Sequence, residues 1–379
     1  MIYADNAATT RISDTAFAKM LPFLREQYGN ASSQYSLGVK AKKAVEHARH
    51  QVAIAIGADA SEITFTSSGS EANSWVIRGI AEKFHNKPIH VITSSIEHHS
   101  VLNAFLTLER SGVEVTYIPV GKNGLVEVAD IKAAIKPHTR LVSIMFANNE
   151  IGTIQPIAEV GQLLKGKDIL FHTDAVQAVG HIPVDVSRLG VDFLTASAHK
   201  FYGAKGTGIL YKRSGIELVP LVFGGKQEHG LRAGTENVAG IVSAGCAIEE
   251  SIELMANEAK RLRKMVEDTI EGIKEKIPSV RVNGDVFHRL PGTVNLCFNG
   301  ISGESLMHLL DLKGICVSTS SACTAGRDNP SHVLLALGLS EQEARSAIRI
   351  SYGRYNTTAE VEKVIIEICN AYLKILGNC

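Results

Sequence analysis

Between Glu62 and Arg213 short apolar runs recur at 62–66, 90–94, 113–120, 141–147, 169–173, 193–196 and 208–212, each followed by a helical stretch or a polar turn. Seven such runs predict an α/β layer on a mostly parallel seven-stranded sheet. The last third reads differently. A strand-like run at 293–298, a helix-like stretch at 303–312 and a strand-like run at 347–352 precede a final helix. In that helix Val361, Val364, Ile365, Ile368 and Tyr372 fall at the three-and-four spacing of one apolar face. A second, smaller α+β lobe is expected there. The glycine-rich stretch 224–234 predicts an exposed loop, and Lys260, Arg261, Arg263 and Lys264 read as a solvated helix face.

In a parallel sheet ligands gather at the carboxyl ends of the strands, and the residues there are unusually polar. Thr66-Ser67-Ser68-Gly69-Ser70-Glu71-Ala72-Asn73 follows a strand and opens a helix. Free N–H groups and hydroxyls at the positive end of a helix dipole suit a phosphate, although an ordinary serine-capped helix start would look the same. Asp174 closes the run at 169–173. A carboxylate there needs a cation or several donors, which a protonated ring nitrogen or a structural ion pair would supply. Lys200 ends Ser197-Ala198-His199-Lys200. Held among apolar neighbours and other cations, its amine would become nucleophilic and suited to a Schiff base, whereas most lysines are simply solvated.

His98 and His99 follow the run at 91–96 and could stack on a ring, shuttle protons, or merely pack. Asn148 and Asn149 add donors at the same edge. Arg349 is a charge within an apolar strand, as either a fork for a substrate carboxylate or a structural ion-pair partner. Residues 318–330 are small, polar and turn-forming, so Cys323 falls where burial is least expected and Arg327 could favour its thiolate. The other five cysteines read as inert.

Composition narrows the partners. Lys plus Arg equals Asp plus Glu at 39 each among 379 residues, so no net field draws nucleic acid or anionic lipid. No apolar run is long enough to span a bilayer, and no basic-then-apolar segment opens the chain, so a cytoplasmic protein is expected. Six cysteines without a Cys-x-x-Cys pair argue for reduced thiols and against an intrinsic metal site.

Taken together, the chain resembles the cysteine desulfurases, in the class V aminotransferase branch of the fold-type I pyridoxal-phosphate enzymes. The likeness begins at Ala4-Asp5-Asn6-Ala7-Ala8-Thr9-Thr10 and continues through Gly29-Asn30-Ala31-Ser32-Ser33, the phosphate segment, Glu97-His98-His99 and Asn148-Asn149-Glu150-Ile151-Gly152. It then takes in 172–177, 197–200, Arg232-Ala233-Gly234-Thr235, Ser321-Ala322-Cys323 and 346–354.

The resemblance implies a large cofactor-binding domain over 15–255 and a small domain over 256–379, with 1–14 packing on the latter. It implies that Lys200 holds pyridoxal 5'-phosphate covalently, that Asp174 pairs with the ring nitrogen, and that His98 stacks on the ring and helps move protons. Gly69, Ser70, Ser197 and His199 would hold the phosphate, with Thr235 supplied by the second subunit of a homodimer. Gln177 would bond the ring hydroxyl, Asn149 and Arg349 would bind the carboxylate of L-cysteine, and Cys323 would accept the sulfur. An iron–sulfur scaffold or a tRNA-thiolation enzyme would then receive it, and Cys323 could share a metal with a docked scaffold. Ala31 stands where the family usually has proline, Ala198 where glycine is common, and His99 where some relatives carry lysine. A selenocysteine lyase, an aminotransferase of the same fold and a catalytically silent docking scaffold are the alternatives.

Overall fold

Alternate side chains along the larger sheet enter two separate cores, and this sets the architecture. In the computed structural model, which describes residues 1–84, 87–319 and 329–377, Val91, Leu141, Phe193 and Leu210 pack on one face. Ile92, Val142, Leu194 and Ile209 pack on the other. Successive Cβ atoms of a strand point to opposite faces, so strands covered on both sides need apolar residues at consecutive positions. Helices Gly69–Lys83 and His99–Arg110 cover the first face through Trp75, Ile77, Ile80, Val101 and Phe105. Helices Ser36–Ile56 and Ile157–Leu164, with the first half of Val238–Lys276, cover the second.

The sheet runs in the order Ile63–Thr66, Gly208–Lys212, Phe193–Ser197, Leu170–Asp174, Thr139–Ser143, His90–Ser94, Glu114–Ile118. Every pairing is parallel except the two made by Gly208–Lys212, which runs against both neighbours. The expected mostly parallel seven-stranded sheet is what the chain forms, and the carboxyl ends of its six like-directed strands share one edge. The run at 141–147 is strand only in part. Its ladder covers Thr139–Ser143, after which Ile144 and Phe146 leave the strand yet still donate to the carbonyls of His172 and Asp174.

A second core lies on a four-stranded antiparallel sheet, Ser318–Thr319, Ala347–Ser351, Thr293–Cys297 and Arg281–Asn283, in which Asn295 faces Arg349. Helices Gly303–Asp311 and Thr358–Ile375 complete it, and Val361, Val364, Ile368 and Tyr372 are buried as their spacing predicts. One continuous helix, Val238–Lys276, serves both cores: Ile241, Ala244 and Ile248 enter the large one, Leu262, Met265, Val266 and Ile273 the small one. Residues 255 and 256 lie within that helix. At the other end of the chain, Ile2–Tyr3 pairs in parallel with Ile315–Cys316, and Thr10 then bonds to His199 and Tyr202 of the large lobe.

Two local expectations need correction. The stretch 224–234 is largely exposed, but Glu228 turns inward and is buried. It takes a bidentate pair from Arg49 (2.7 and 3.0 Å) and the N–H of Phe65 (2.9 Å). Arg261 likewise leaves the solvated face, donating to the carbonyls of Gly353, Arg354 and Asn356 and so tying the long helix to the small lobe. Composition suggested solvent in both cases; instead Glu228 meets the N–H of a strand and the buried Arg49, and Arg261 meets the carbonyls of a turn.

The Arg49 and Glu228 side chains are 3% and 4% exposed, so removing Glu228 takes from the buried guanidinium its bidentate partner and leaves it the half-exposed Glu46 and the Ile63 carbonyl. Glu228→Ala is expected to destabilise the large lobe by about 3 kcal/mol. The test is urea unfolding followed by fluorescence of the single tryptophan, Trp75. A midpoint unchanged from wild type would show that the pair contributes nothing.

Candidate active site

Most of the strands that end at the shared edge deliver a polar group to one cavity of about 510 Å³, the outermost, Glu114–Ile118, being the exception. Its wall includes Gly69, Ser70, His98, Asn149, Asp174, Gln177, Ser197, His199, Lys200 and Arg349. Two expected residues are not among these. Thr235 is exposed and does not line the cavity of its own chain, and Cys323 lies outside the described residues. His99 is also absent from the wall; its ring lies against that of His332, with centroids 4.7 Å apart.

The phosphate-like end is the start of helix Gly69–Lys83. Ser68 caps it, its hydroxyl accepting from the Glu71 N–H (3.1 Å) while its carbonyl takes the Ala72 N–H. The N–H groups of Gly69 and Ser70 have no carbonyl within the helix to meet and stand at the positive end of its dipole. Close approach requires glycine at 69, where a Cβ would come 2.8 Å from the Val176 Cγ2. Glu71 is held below the usual carboxylate range by Arg232 and Ser67 against the opposing effect of its burial, so its charge is neutralised within the helix start.

Asp174 ends its strand with 5% exposure. One oxygen accepts from the Val176 N–H (3.0 Å) and the other from the Asn73 Nδ2 (2.7 Å). Among the described residues no cation pairs with it, so a carboxylate on the cavity wall has only neutral donors. The nearby imidazoles do not supply the charge. Burial, aided by Lys200 and Lys205, brings His199 down to about 4, and burial alone brings His172 down to about 3. His98 is also lowered, by burial and by Lys200 and His99, with Asp174 opposing.

Two of the cations that line the cavity are engaged by the first residues of the chain. Lys200 donates to the carbonyls of Ala7 (2.6 Å) and Ala8 (2.7 Å). Arg349 donates through Nη2 to Asp5 (2.6 Å) and through Nη1 to the Asn149 carbonyl (2.9 Å). Its Nε is buried with no hydrogen-bond partner among the described residues. Gln177 also donates to the Ala7 carbonyl (2.9 Å), and His199 meets Thr9 (3.1 Å). This N-terminal strap matched a motif, but nothing in its composition revealed that it satisfies four site residues.

Glu97 is another residue whose part was not legible. Fully buried, it takes the Ser94 hydroxyl and the Met145 N–H on Oε1, while Oε2 has no partner among the described residues. Burial pushes its carboxyl up to about 8. It fastens the loop carrying His98 to the adjoining chain at Met145.

An anion-seeking helix start, a buried carboxylate lacking a cation and a lysine amine in one cavity fit pyridoxal phosphate, which brings a phosphate, a protonatable ring nitrogen and a carbon that condenses with amines. The model for the family described as Aminotransferase class-V matches residues 2–364. A curated relative from Clostridium botulinum, cysteine desulfurase IscS, is 50% identical over 366 residues, covering 96% of this chain and 92% of its own. A solved NifS-like protein superposes with a TM-score of 0.92 at 40% identity, covering 97% of this chain and 98% of its own. The structure of SspA in complex with cysteine superposes with a TM-score of 0.82 at 36% identity, covering 94% and 100%.

If the start of the helix holds the phosphate, Gly69→Ala should raise the dissociation constant for pyridoxal phosphate roughly tenfold, about 1.4 kcal/mol, because the new methyl group must push the helix start away from Val176. Adding Val176→Ala should restore much of the affinity. Fluorescence titration of the apoprotein checks both; equal affinity in the single variant would place the phosphate elsewhere.

Proposed function

The chain belongs to the aminotransferase class-V family and is a cysteine desulfurase that uses pyridoxal phosphate, and from that premise we propose how its own residues divide the work. The observation that carries the proposal is the meeting, in one cavity, of the Lys200 amine, the Asp174 carboxylate and the Arg349 guanidinium from three separate stretches of chain. The cofactor, when bound, supplies an electrophilic carbon for the substrate amine and a ring that takes up the electron pair released at Cα.

Lys200 Nζ would hold the cofactor, and its amine is the base that would take the substrate Cα proton. Asp174 would keep a proton on the ring nitrogen, an assignment supported by its want of a cation among the described residues. Gly69, Ser70, Ser197 and His199 receive the phosphate. Thr235, exposed on its own chain, reaches the cavity of a partner subunit, so the working unit is a homodimer. His98 would meet the ring and Gln177 its hydroxyl. Arg349 and Asn149 orient the substrate carboxylate, which competes with Asp5 for the guanidinium fork and finds the buried Nε still to be satisfied.

In the sulfur step the Cys323 thiolate attacks the substrate sulfur. A sulfur–sulfur bond forms, the Cβ–S bond breaks with its electron pair going to the carbon side, and protonation of that carbon yields alanine. One cysteine and one thiol thus become one alanine and one persulfide, with no outside oxidant. The persulfide then passes to an iron–sulfur scaffold or a tRNA-thiolation enzyme. The four described cysteines are free thiols, which supports a reducing, cytoplasmic setting, and among the described residues no helix is long and apolar enough to cross a membrane.

With L-cysteine and a thiol reductant the protein should release sulfide and alanine in equal, catalytic amounts. Cys323→Ala should retain the visible absorption of the cofactor-loaded protein and lose both products. Lys200→Ala should lose that absorption. Continued turnover without Cys323 would move the assignment to a selenocysteine lyase type of reaction, and a coloured Lys200 variant with an unchanged spectrum would refute the role of the amine.

A further inference from the structure

We infer that Asn73 and Ser100 are positioning residues that lock the His98 imidazole neutral, with its one ring proton on Nε2, through a hydrogen-bond chain anchored on Asp174. The inference rests on the reading of His98 as the group beside the cofactor. The direction of each bond follows from what each atom is able to do. A carboxylate only accepts, so the Asn73 amide turns its NH₂ toward Asp174, with Nδ2 2.7 Å from Oδ2. The second amide proton goes to the Ser100 Oγ at 2.9 Å. Having accepted there, the serine hydroxyl directs its own proton to His98 Nδ1 at 2.8 Å.

The Ser100 backbone N–H, which can only donate, meets the same Nδ1 at 3.2 Å, because His98 is the N-cap of helix His99–Arg110. Two donors converging on Nδ1 leave it without a proton, so the ring carries its proton on Nε2, the nitrogen away from this chain. Protonating Nδ1 would set it against the helix's own N–H. A separate observation fixes the polarity: Asn73 is 1% exposed and its Oδ1 has no partner among the described residues. An asparagine left with a buried, unpartnered oxygen is oriented by its donor side, and reversing it would set that oxygen against the Asp174 carboxylate.

The groups acting on the ring agree with a neutral state. Burial disfavours the imidazolium, Lys200 and His99 add to that effect, and Asp174 is the one opposing charge. A ring held in this way presents an N–H donor to the cavity and cannot take a proton at Nδ1, so proton traffic through His98 is confined to Nε2. Neither Asn73 nor Ser100 touches the reacting atoms in this scheme; both act through His98.

The test is nitrogen NMR of the enzyme saturated with pyridoxal phosphate and carrying ¹⁵N-histidine, with the His98 signals assigned by their loss in His98→Asn. The wild type should show a bare Nδ1 and a protonated Nε2, told apart by their couplings to the ring protons, across pH 6 to 8, a window on the order of the ordinary histidine range. Ser100→Ala should raise the titration midpoint of His98 by roughly half a pH unit or more, because it removes a donor that favours the neutral ring. Ser100→Thr should restore it, and Asn73→Ala should shift it in the same direction in the wild type but add nothing to Ser100→Ala. A proton on Nδ1 in the wild type, or a midpoint unmoved by Ser100→Ala, overturns the inference. Visible absorption of the same samples separates the two readings. A colourless protein whose His98 is locked on Nε2 undoes the cofactor assignment and upholds the chain, and a coloured one with Nδ1 protonated does the reverse.

Discussion

A buried carboxylate with no cation paired to it among the described residues is the constraint around which the site is organised. Asp174 ends a strand covered on both faces, where an ionised group is costly unless it is paired or fully hydrogen-bonded. The fold could have met that demand with a lysine or arginine and instead gives it one side-chain amide and one backbone N–H. Two cations on the cavity wall bond to the N-terminal residues, Lys200 to two carbonyls and Arg349 to Asp5. A carboxylate so placed is suited to a protonated nitrogen of a bound ligand, which is the role proposed for Asp174.

The N-terminal strap holds these two cations. Residues 5 to 10 run between the two lobes, bonding to Arg349 and Ser351 on one side and to Lys200, Gln177 and His199 on the other. The lobes are joined again by Arg354, which pairs with Glu250 and Glu258 on the long helix and lies 4.2 Å from the centre of the Tyr202 ring. Tyr202 has a positive φ of 69°, unusual for a residue with a side chain, and its hydroxyl accepts from the Arg354 N–H. The turn that follows Lys200 is thus held from both lobes, which fixes the backbone from which the Lys200 side chain extends into the cavity.

Much of this could be read from the sequence because it depends on local order. Continuous apolar runs announce strands buried on both faces, and the polar residues just beyond them announce a ligand edge, so the sheet and the positions of Asp174, His98 and Lys200 were legible. The final helix was legible for the same reason, through one apolar stripe. What escaped depends on distant pairing. No spacing brings Arg49 to Glu228, Ser100 to Asn73 or Ala7 to Lys200, and no composition shows that Arg261 would turn from solvent to three carbonyls. The strand at 139–143 was displaced for a related reason: its apolar run continues past the ladder to line the floor of the site with Met145 and Ala147.

The departures from the family pattern show how such distant pairing absorbs a substitution. Ala198 adds a methyl group beside the turn that carries Lys200, and the chain returns there closely enough for the Gly203 N–H to donate to the Ala198 carbonyl at 2.9 Å. A Cβ at position 203 would lie 2.9 Å from the Ala198 Cβ, inside contact distance, so alanine at 198 is compatible with this turn because 203 is glycine. At Ala31 the stiffness that proline would supply comes from its neighbour. Asn30 accepts the Ser32 N–H on its side chain and the Ser33 N–H on its carbonyl, closing the turn by hydrogen bonds rather than by a ring. In each case the exchanged residue is tolerated because a nearby group takes over its geometric task, and the reacting groups keep their places.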